Sequence, residues 1–486
     1  MKTAFRNKNF LLPFFLGVLV LTVIFSFKSS FETQVFYQNV SDTTAPIIFH
    51  AKDHKGKSVV SSNGIISFTT GLHNDFYQAD SINKTGYFYV ETKLAKLLNQ
   101  STVRVPLNIS IVIDRSGSME GIKMGYAKKA AKGIIDQLNS QDIVSVVMYD
   151  NYVDTVQSPI NVVDKEKIKS KIDKIVPRAS TNLWGGTEQG YEYVQMKYKP
   201  GYINRVLLIS DGRANTGVTD SSVIHSKVQK YKDVNGISLS TFGVGLDYNE
   251  TLMTDMAETG AGNYYFIDAP EKLIEIFDKE LNGLVSVAAQ DAEFRIKLPA
   301  GVRLQKSYPL QFQQTGNEIV VKLRDLSSEE TKGTLLAFSI DNKINSVLKF
   351  TSSLVYTDVN DGMEKTLTNE NILTPVKSTD AFLTHFNKPV IQETVLLTAN
   401  EKLETAMNLM EKGDYRSAKQ LIVENKNYLK ANSFYVNGDH LLMQMDSLNS
   451  NYSNQFFAAS AVNADSVKRF LKATKAVNYK IRNKKQ

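Results

Sequence analysis

The sequence predicts an α/β fold, a doubly wound and mostly parallel sheet, flanked by a β-rich region and a C-terminal helical region. Three patterns predict it. Between residues 106 and 285, apolar runs of strand length alternate with amphipathic stretches of helix length, the rhythm of parallel strands covered on both faces. Residues 28–105 and 286–385 instead alternate apolar and polar residues between turn signals, as half-buried antiparallel strands do. Residues 388–480 carry apolar residues at helical spacing. The expected organisation is 1–27 a signal anchor or signal peptide, 28–105 β-rich, 106–285 the α/β domain, 286–385 an antiparallel β domain, 388–480 a helical hairpin region, and 481–486 a basic tail.

At the N-terminus, Lys2, Arg6 and Lys8 precede FLLPFFLGVLVLTVIFSF, residues 10–27, a stretch without a charge. Its length is at the short end of what spans a bilayer, and the positive flank keeps the N-terminus in the cytosol. No small-x-small cleavage site follows it, so an uncleaved signal anchor is preferred to a cleaved peptide. The expected location is therefore the cell envelope, with residues 10–27 in the cytoplasmic membrane and the body outside the cytoplasm, periplasmic or extracellular.

APIIFHA, GIISFTTG and TGYFYVETKL then read as strands. In the α/β stretch LNISIVID, DIVSVVMYD, RVLLISDG, ISLSTFGVG and NYYFID read as strands. Five helices separate or follow them: GIKMGYAKKAAKGIIDQL, DKEKIKSKIDKI, DSSVIHSKVQKYKD, ETLMTDMAET and PEKLIEIFDKEL. The first carries Ile122, Tyr126, Ala130, Ile134 and Leu138 along one stripe. AEFRIKLPAGVRL, QFQQTGNEIVVKL, GTLLAFSI and SVLKFTSSLVYTDV alternate as antiparallel strands do. In the helical region Leu396, Ala399, Leu403, Ala406 and Met410 make a stripe, and Gly413 stops the helix. The pattern from Ala406 to Ala418 resembles one tetratricopeptide-type hairpin, but a single repeat makes no array.

Composition narrows the chemistry. The chain has 486 residues, 42% hydrophobic and 22% charged, which suits a folded protein of several domains. It has no cysteine, which excludes disulfides, zinc–thiolate sites, cysteine nucleophiles and a lipid-bearing N-terminal cysteine. The net charge of +7 comes from residues 466–486, which hold eight Lys/Arg and no acid, so the body is near neutral. A solvated terminal helix explains that tail, and no nucleic-acid partner is expected. The six histidines are scattered, and neither H-E-x-x-H nor a P-loop occurs. TDVNDGMEK, residues 357–365, reads as a hairpin turn, because its glycine is misplaced for a calcium loop starting at Asp358.

The chemistry concentrates in LNISIVIDRSGSMEG. Asp114 ends a strand, and Ser116 and Ser118 follow in the next loop. Asp211 ends another strand in LLISDG, and Thr181 lies in the turn-rich RASTNLWGG. Open α/β sheets bind ligands beyond the carboxyl ends of their strands, so these groups could converge on one rim. Two carboxylates and three hydroxyls are hard oxygen donors, which suit Mg²⁺, Mn²⁺ or Ca²⁺. With only two charged donors, a bound ion keeps electrophilicity and open positions. Trp184 follows the threonine and either lines this rim or packs inside.

The D-x-S-x-S of Asp114–Ser118, the threonine of STNLWGG and the aspartate of SDG resemble the metal-ion-dependent adhesion site of von Willebrand factor type A domains, whose sheet is Rossmann-like. NRVLLISDGRANTGVTD and STFGVGLDYNETLMTDMAETGAGNYYFID are similar to bacterial members, of the membrane-anchored or exported type. The resemblance covers about residues 104–285. It implies that Asp114, Ser116, Ser118, Thr181 and Asp211 bind a divalent cation, Mg²⁺ before Ca²⁺ or Mn²⁺. The serines and threonine would touch the ion, and the acids would act directly or through water. Arg115 fills a variable position of the motif. Bacterial relatives also suggest that the two β regions form one domain into which the α/β domain is inserted.

The function this implies is metal-dependent protein binding, the ion accepting an acidic side chain of a partner. One alternative is an envelope scaffold whose helical C-terminal region carries the partner and whose metal is structural. A metal-dependent hydrolase is a further alternative. The sequence offers it no general base beside the five ligands, so the chain is not expected to be an enzyme. The oligomeric state is not specified.

Overall fold

A computed structural model describes residues 34–35, 48–96, 105–178, 180–245, 248–267, 276, 279–280, 283, 286–310, 312–457 and 464–484. The apolar stretch 10–27, and with it the anchor reading, lies outside them. Among the described residues no helix is long and apolar enough to cross a membrane.

Before the α/β domain come β1 (Gln34–Val35), β2 (Val59–Ser62), β3 (Ile66–Leu72), β4 (Phe76–Gln78) and β5 (Thr85–Leu94). The domain holds β6 (Leu107–Asp114), β7 (Ile143–Tyr149), β8 (Val153–Asn161), β9 (Ile203–Ser210), β10 (Ser238–Val244) and β11 (Ala261–Ile267). Its helices are α1 (Ile122–Gln137), α2 (Lys165–Asp173), α3 (Leu183–Met196), α4 (Ser221–Asn235) and α5 (Glu250–Thr259). After it come β12 (Val287–Lys297), β13 (Val302–Tyr308), β14 (Gln313–Thr315), β15 (Glu318–Ser327), β16 (Thr331–Ile340), β17 (Leu348–Asp358) and β18 (Glu364–Val376). The chain ends in α6 (Thr379–Thr384), α7 (Lys388–Glu411), α8 (Tyr415–Ala431), α9 (Ser433–Val436), α10 (His440–Phe457) and α11 (Ala464–Arg482).

The α/β sheet has the order β11-β10-β9-β6-β7-β8, parallel except for β8. Every residue of β6, β9 and β10 is buried, which is why these strands read as unbroken apolar runs. Core side chains of α1 and α2 cover one face, and those of α3, α4 and α5 the other. The chain runs outward from β6 to β7 and β8, then returns to β9 on the other side of β6. The direction of winding reverses there, so the loops after β6 and β9 diverge and leave a crevice at their carboxyl ends.

Two local readings need correction. The buried face of α1 is Met124, Ala127, Ala130, Ala131, Ile134 and Ile135, whereas Ile122 is 71% exposed and Tyr126 half-buried. Helix α3 was not anticipated, since LWGGTEQGYEYVQM carries three glycines and glycine disfavours helices. Two of them let α3 approach the sheet. A Cβ on Gly186 would lie 2.3 Å from Tyr149 Cδ1, and one on Gly190 would lie 2.5 Å from Val112 Cγ2. PEKLIEIFDKEL falls largely outside the described residues, with Ile276, Lys279 and Glu280 helical.

The flanking β segments form one sandwich. Its sheets have the orders β1-β14-β15-β12-β17-β18-β4 and β13-β16-β5-β3-β2. Strand β5 pairs with β16 from Thr85 opposite Ser339 to Lys93 opposite Thr331, and β4 runs beside β18. Strands from both sides of the α/β domain thus share both sheets, with Phe68, Phe88, Phe294, Phe338 and Phe350 between them. The α/β domain is an insertion between β5 and β12. Residues 48–51 of APIIFHA form no strand; Phe49 instead packs edge-on against Tyr87, Phe386 and Tyr435. The NDG segment makes the β17–β18 turn, with Gly362 at φ +67°.

The stripe of α7 is buried against α8, and its Val390 and Leu397 pack on Tyr89, Tyr308 and Leu335 of the sandwich. The basic C-terminus is not a solvated helix. Lys484 Nζ lies 2.7 Å from Glu91 of β5 and 2.6 Å from Glu393 of α7. Arg482 pairs with Glu258 of α5 and, at 3.3 Å, with Glu404 of α7. Lys475 pairs with Glu411 at 2.6 Å. Lys472 lies 3.6 Å from the centre of the Tyr248 ring and donates to the Tyr248 carbonyl at 3.2 Å. These cations join the helices to both other units.

That junction carries a pH signature. Glu250 opens α5 and lines a cavity of about 120 Å³ facing α7 and α11. Burial pushes its carboxyl from the ordinary 4.5 up to about 7, with Lys472 and Lys475 pulling the other way. The folded state therefore holds a proton that the unfolded chain releases between these values. The resulting stabilisation is present at low pH and is lost as pH rises from 4.5 to 7, about 3 kcal/mol in all. Glu250→Gln mimics the protonated form. It is expected to match the wild type at pH 4 and exceed it by about 3 kcal/mol at pH 8. Urea midpoints across this range test it, and equal midpoints at pH 8 would show that burial does not govern this group.

Candidate metal centre

The crevice between β6 and β9 brings most of the expected donors together. Asp114 is fully buried at the end of β6. Its Oδ1 accepts from the Ser116 N–H at 2.8 Å, and its Oδ2 accepts from Ser210 Oγ at 2.6 Å. Burial pushes the Asp114 carboxyl up to about 6, the hydrogen bonds from Ser116 and Ser210 working against that and the charge of Asp211 adding to it. The hydroxyls of Ser116 and Ser118 lie 3.1 Å apart, at the start of the short 3₁₀ turn Gly117–Met119.

Asp211 follows β9 and is also fully buried. Its Oδ2 lies 3.0 Å from Lys123 Nζ, and its carbonyl accepts from the Asn249 N–H at 3.1 Å. Its Oδ1 has no hydrogen-bond partner. A buried carboxylate oxygen left unpaired is costly, so this atom points to a ligand.

Thr181 is buried on the loop before α3. Its N–H donates to Asn215 Oδ1 at 2.7 Å, and its carbonyl accepts from the Asn215 and Thr216 N–H groups, each at 3.1 Å. The threonine loop is thereby laced to the loop that leaves Asp211. The next residue, Asn182, donates its N–H to the Asp150 carbonyl at 2.7 Å, and its side chain caps α3. These bonds tie the threonine loop to Asp150 on one side and to the loop after Asp211 on the other.

Several residues that position the site escaped the sequence reading. Ser210 bridges the strand ends: it donates to Asp114 and accepts from the Gly212 N–H at 2.7 Å. A hydroxyl directly before the second acid was its only signal. Arg115 is not a passive filler. It is buried, ion-paired with Asp150 at 3.0 Å and with Asp154, and Arg178 Nε donates to the same Asp150 oxygen at 2.6 Å. Burial opposes ionisation of Asp150, but the Tyr152 N–H and these two guanidiniums outweigh it and hold the carboxyl below its usual range. The charge of Arg115 is thus spent on its own acids. Trp184 packs inside near Tyr191 and Tyr231 and does not line the rim.

The donor set fits a divalent cation. It offers an unpaired buried carboxylate oxygen, a second buried carboxylate, and neighbouring hydroxyls. It has no histidine or cysteine, and among the described residues no cluster of three or more His, Asp or Glu suits a metal. Oxygen donors of this kind favour hard ions such as Mg²⁺. Asp114, Ser116, Ser118, Thr181 and Asp211 are the residues that would hold it. A bound ion would supply a positive centre able to accept an anionic oxygen.

Residues 108–279 match the von Willebrand factor type A domain. The chain is 30% identical over 213 residues to the uncharacterized protein YfbK of Escherichia coli, an overlap of 43% of this chain and 36% of YfbK. It is 26% identical over 246 residues to inter-alpha-trypsin inhibitor heavy chain H2 of Sus scrofa, covering 48% of this chain and 26% of the heavy chain. The chain thus spans about a third or less of these two relatives. A solved structure described as von Willebrand factor type A from Catenulispora acidiphila superposes with a TM-score of 0.67 at 14% identity, over 87% of this chain and 99% of that one. That likeness shows the fold, including regions beyond the α/β domain. Domains of this type commonly mediate protein–protein interactions and commonly bind a divalent ion at such a site.

Proposed function

We propose that the chain is a metal-dependent protein-binding module held in the cell envelope, with residues 10–27 in the cytoplasmic membrane and the body outside the cytoplasm. A divalent ion at Asp114, Ser116, Ser118, Thr181 and Asp211 accepts a carboxylate from a partner protein, and the rim around it supplies specificity. The site binds and does not catalyse. The observation that carries this reading is the partnerless Asp211 Oδ1, buried next to Asp114 at the winding reversal of the sheet.

Titration calorimetry of Mg²⁺, Mn²⁺ and Ca²⁺ into the purified full chain tests it. One-site binding is expected, and Ser116→Ala/Ser118→Ala is expected to remove it with the circular dichroism spectrum unchanged. Ser116 is buried and Ser118 half-buried, but both follow the last residue of β6, so the ladder of the sheet does not depend on their hydroxyls. Binding to the Ser116→Ala/Ser118→Ala variant equal to that of the wild type would refute the metal assignment, and so would absence of binding to the wild type that persists once the Lys123 ammonium is removed from Asp211. A fall in captured partner protein on adding chelator would then connect the ion to recognition.

A further inference from the structure

We infer that Lys123 is a built-in counter-charge that tunes the metal centre, holding its affinity down and leaving the bound ion free charge for a partner carboxylate. This deepens the metal reading above and rests on it.

Lys123 is the second residue of α1, and its side chain is 23% exposed. The ammonium reaches 3.0 Å from Asp211 Oδ2, leaving Oδ1 of the same carboxylate free. The contact is seated, not incidental. The lysine stem lies over Gly245 at the end of β10, where a Cβ would come within 2.6 Å of Lys123 Cε and 3.3 Å of Cδ. Gly245 holds φ +87°, a conformation that suits glycine, so the slot is built into the turn.

The consequence is electrostatic. Two carboxylates give the donor set two negative charges, and the three hydroxyls add none. Arg115 contributes no counter-charge, since Asp150 and Asp154 neutralise it. Lys123 is a cation in contact with a ligand carboxylate, and its single charge offsets one of the two that the set offers. A divalent ion is bound less tightly beside it and retains positive charge once bound. That residual charge is what a partner's carboxylate neutralises, so the ion and the acidic ligand bind with mutual support. Close charges in a buried setting interact strongly enough for the effect to be large.

The test is Mn²⁺ and Mg²⁺ titration into the full chain, comparing wild type, Lys123→Met, Lys123→Gln and Lys123→Arg, with chelator-treated thermal melts as a second readout. Lys123→Met and Lys123→Gln are expected to bind the ion at least tenfold more tightly than wild type, with Lys123→Arg close to wild type. In chelator both neutral variants are expected to melt earlier than wild type, and saturating ion is expected to raise their melting temperature by more. Binding seen only in the neutral variants supports the same conclusion. Affinity that is unchanged or weaker in both neutral variants, with wild type still binding, overturns the inference alone. No binding in any of the four proteins overturns the metal reading as well.

Discussion

Lys484→Met is expected to lower stability by about 3–5 kcal/mol. The ammonium sits between Glu91 of β5 and Glu393 of α7, with its side chain only 10% exposed and the Tyr89 ring 4.7 Å below it. Burial disfavours the charge on Lys484, but the two carboxylates outweigh that and raise its pKa. Removing it leaves two mostly buried acids, 22% and 23% exposed, facing each other without their cation, and Tyr89 already donates to Glu91 at 2.6 Å. Breaking a buried pair costs more than never having formed it, because the remaining charge is stranded. Neutralising one acid is therefore the diagnostic partner. Lys484→Met/Glu393→Gln is expected to recover more than half of the loss, which urea denaturation of both variants measures. A single variant within 1 kcal/mol of wild type would show that the C-terminus does not clamp the helices to the sandwich.

This triad also explains what the sequence conceals. Lys484 and Glu91 are 393 positions apart, and Arg482 and Glu258 are 224 apart. Read locally, eight basic residues without an acid describe a solvated tail. Only folding shows that Lys472, Arg482 and Lys484 meet acids from other units. The strands around the site were legible for the opposite reason. A parallel strand buried on both faces has to be a continuous apolar run, and the acid that ends it is visible at once, as in LNISIVID and LLISD. The edge strand β8 carries Pro159 and has no fully buried residue, so it gave no such signal. Asp114 and Asp211 were legible as acids at strand ends and Ser116, Ser118 and Thr181 as hydroxyls in loops, and their reading as one ligand set came from the resemblance to the adhesion site. Lys123 and Ser210 were not, because a lysine in a first helical turn and a serine in a strand look ordinary until their partners are known. Helix α3 failed because its glycines answer to Tyr149 and Val112 across the sheet, not to helix propensity.

Gly186→Ala should expose the same dependence as a second large effect. In an open helix this change stabilises by about 1 kcal/mol. Here the new methyl would lie 2.3 Å from Tyr149 Cδ1 and 2.5 Å from Cγ. The ring is fully buried and cannot swing aside, so α3 has to lift off the sheet. Overpacking of this kind costs about 1–3 kcal/mol. The displacement also reaches the metal centre. Asn182 caps α3, its N–H is bonded to Asp150, and Thr181 is its neighbour. Lifting the helix draws the threonine hydroxyl away from donors fixed on β6 and β9. Gly186→Ala is therefore expected to lose both stability and at least tenfold in Mg²⁺ affinity. Gly190→Ala meets Val112 Cγ2 at 2.5 Å one helical turn farther from the loop. It is expected to lose comparable stability while binding the ion normally. Denaturant midpoints and metal titrations on the two variants separate packing from positioning. Equal metal affinity in both would mean that α3 does not hold Thr181 in register with Asp114 and Asp211.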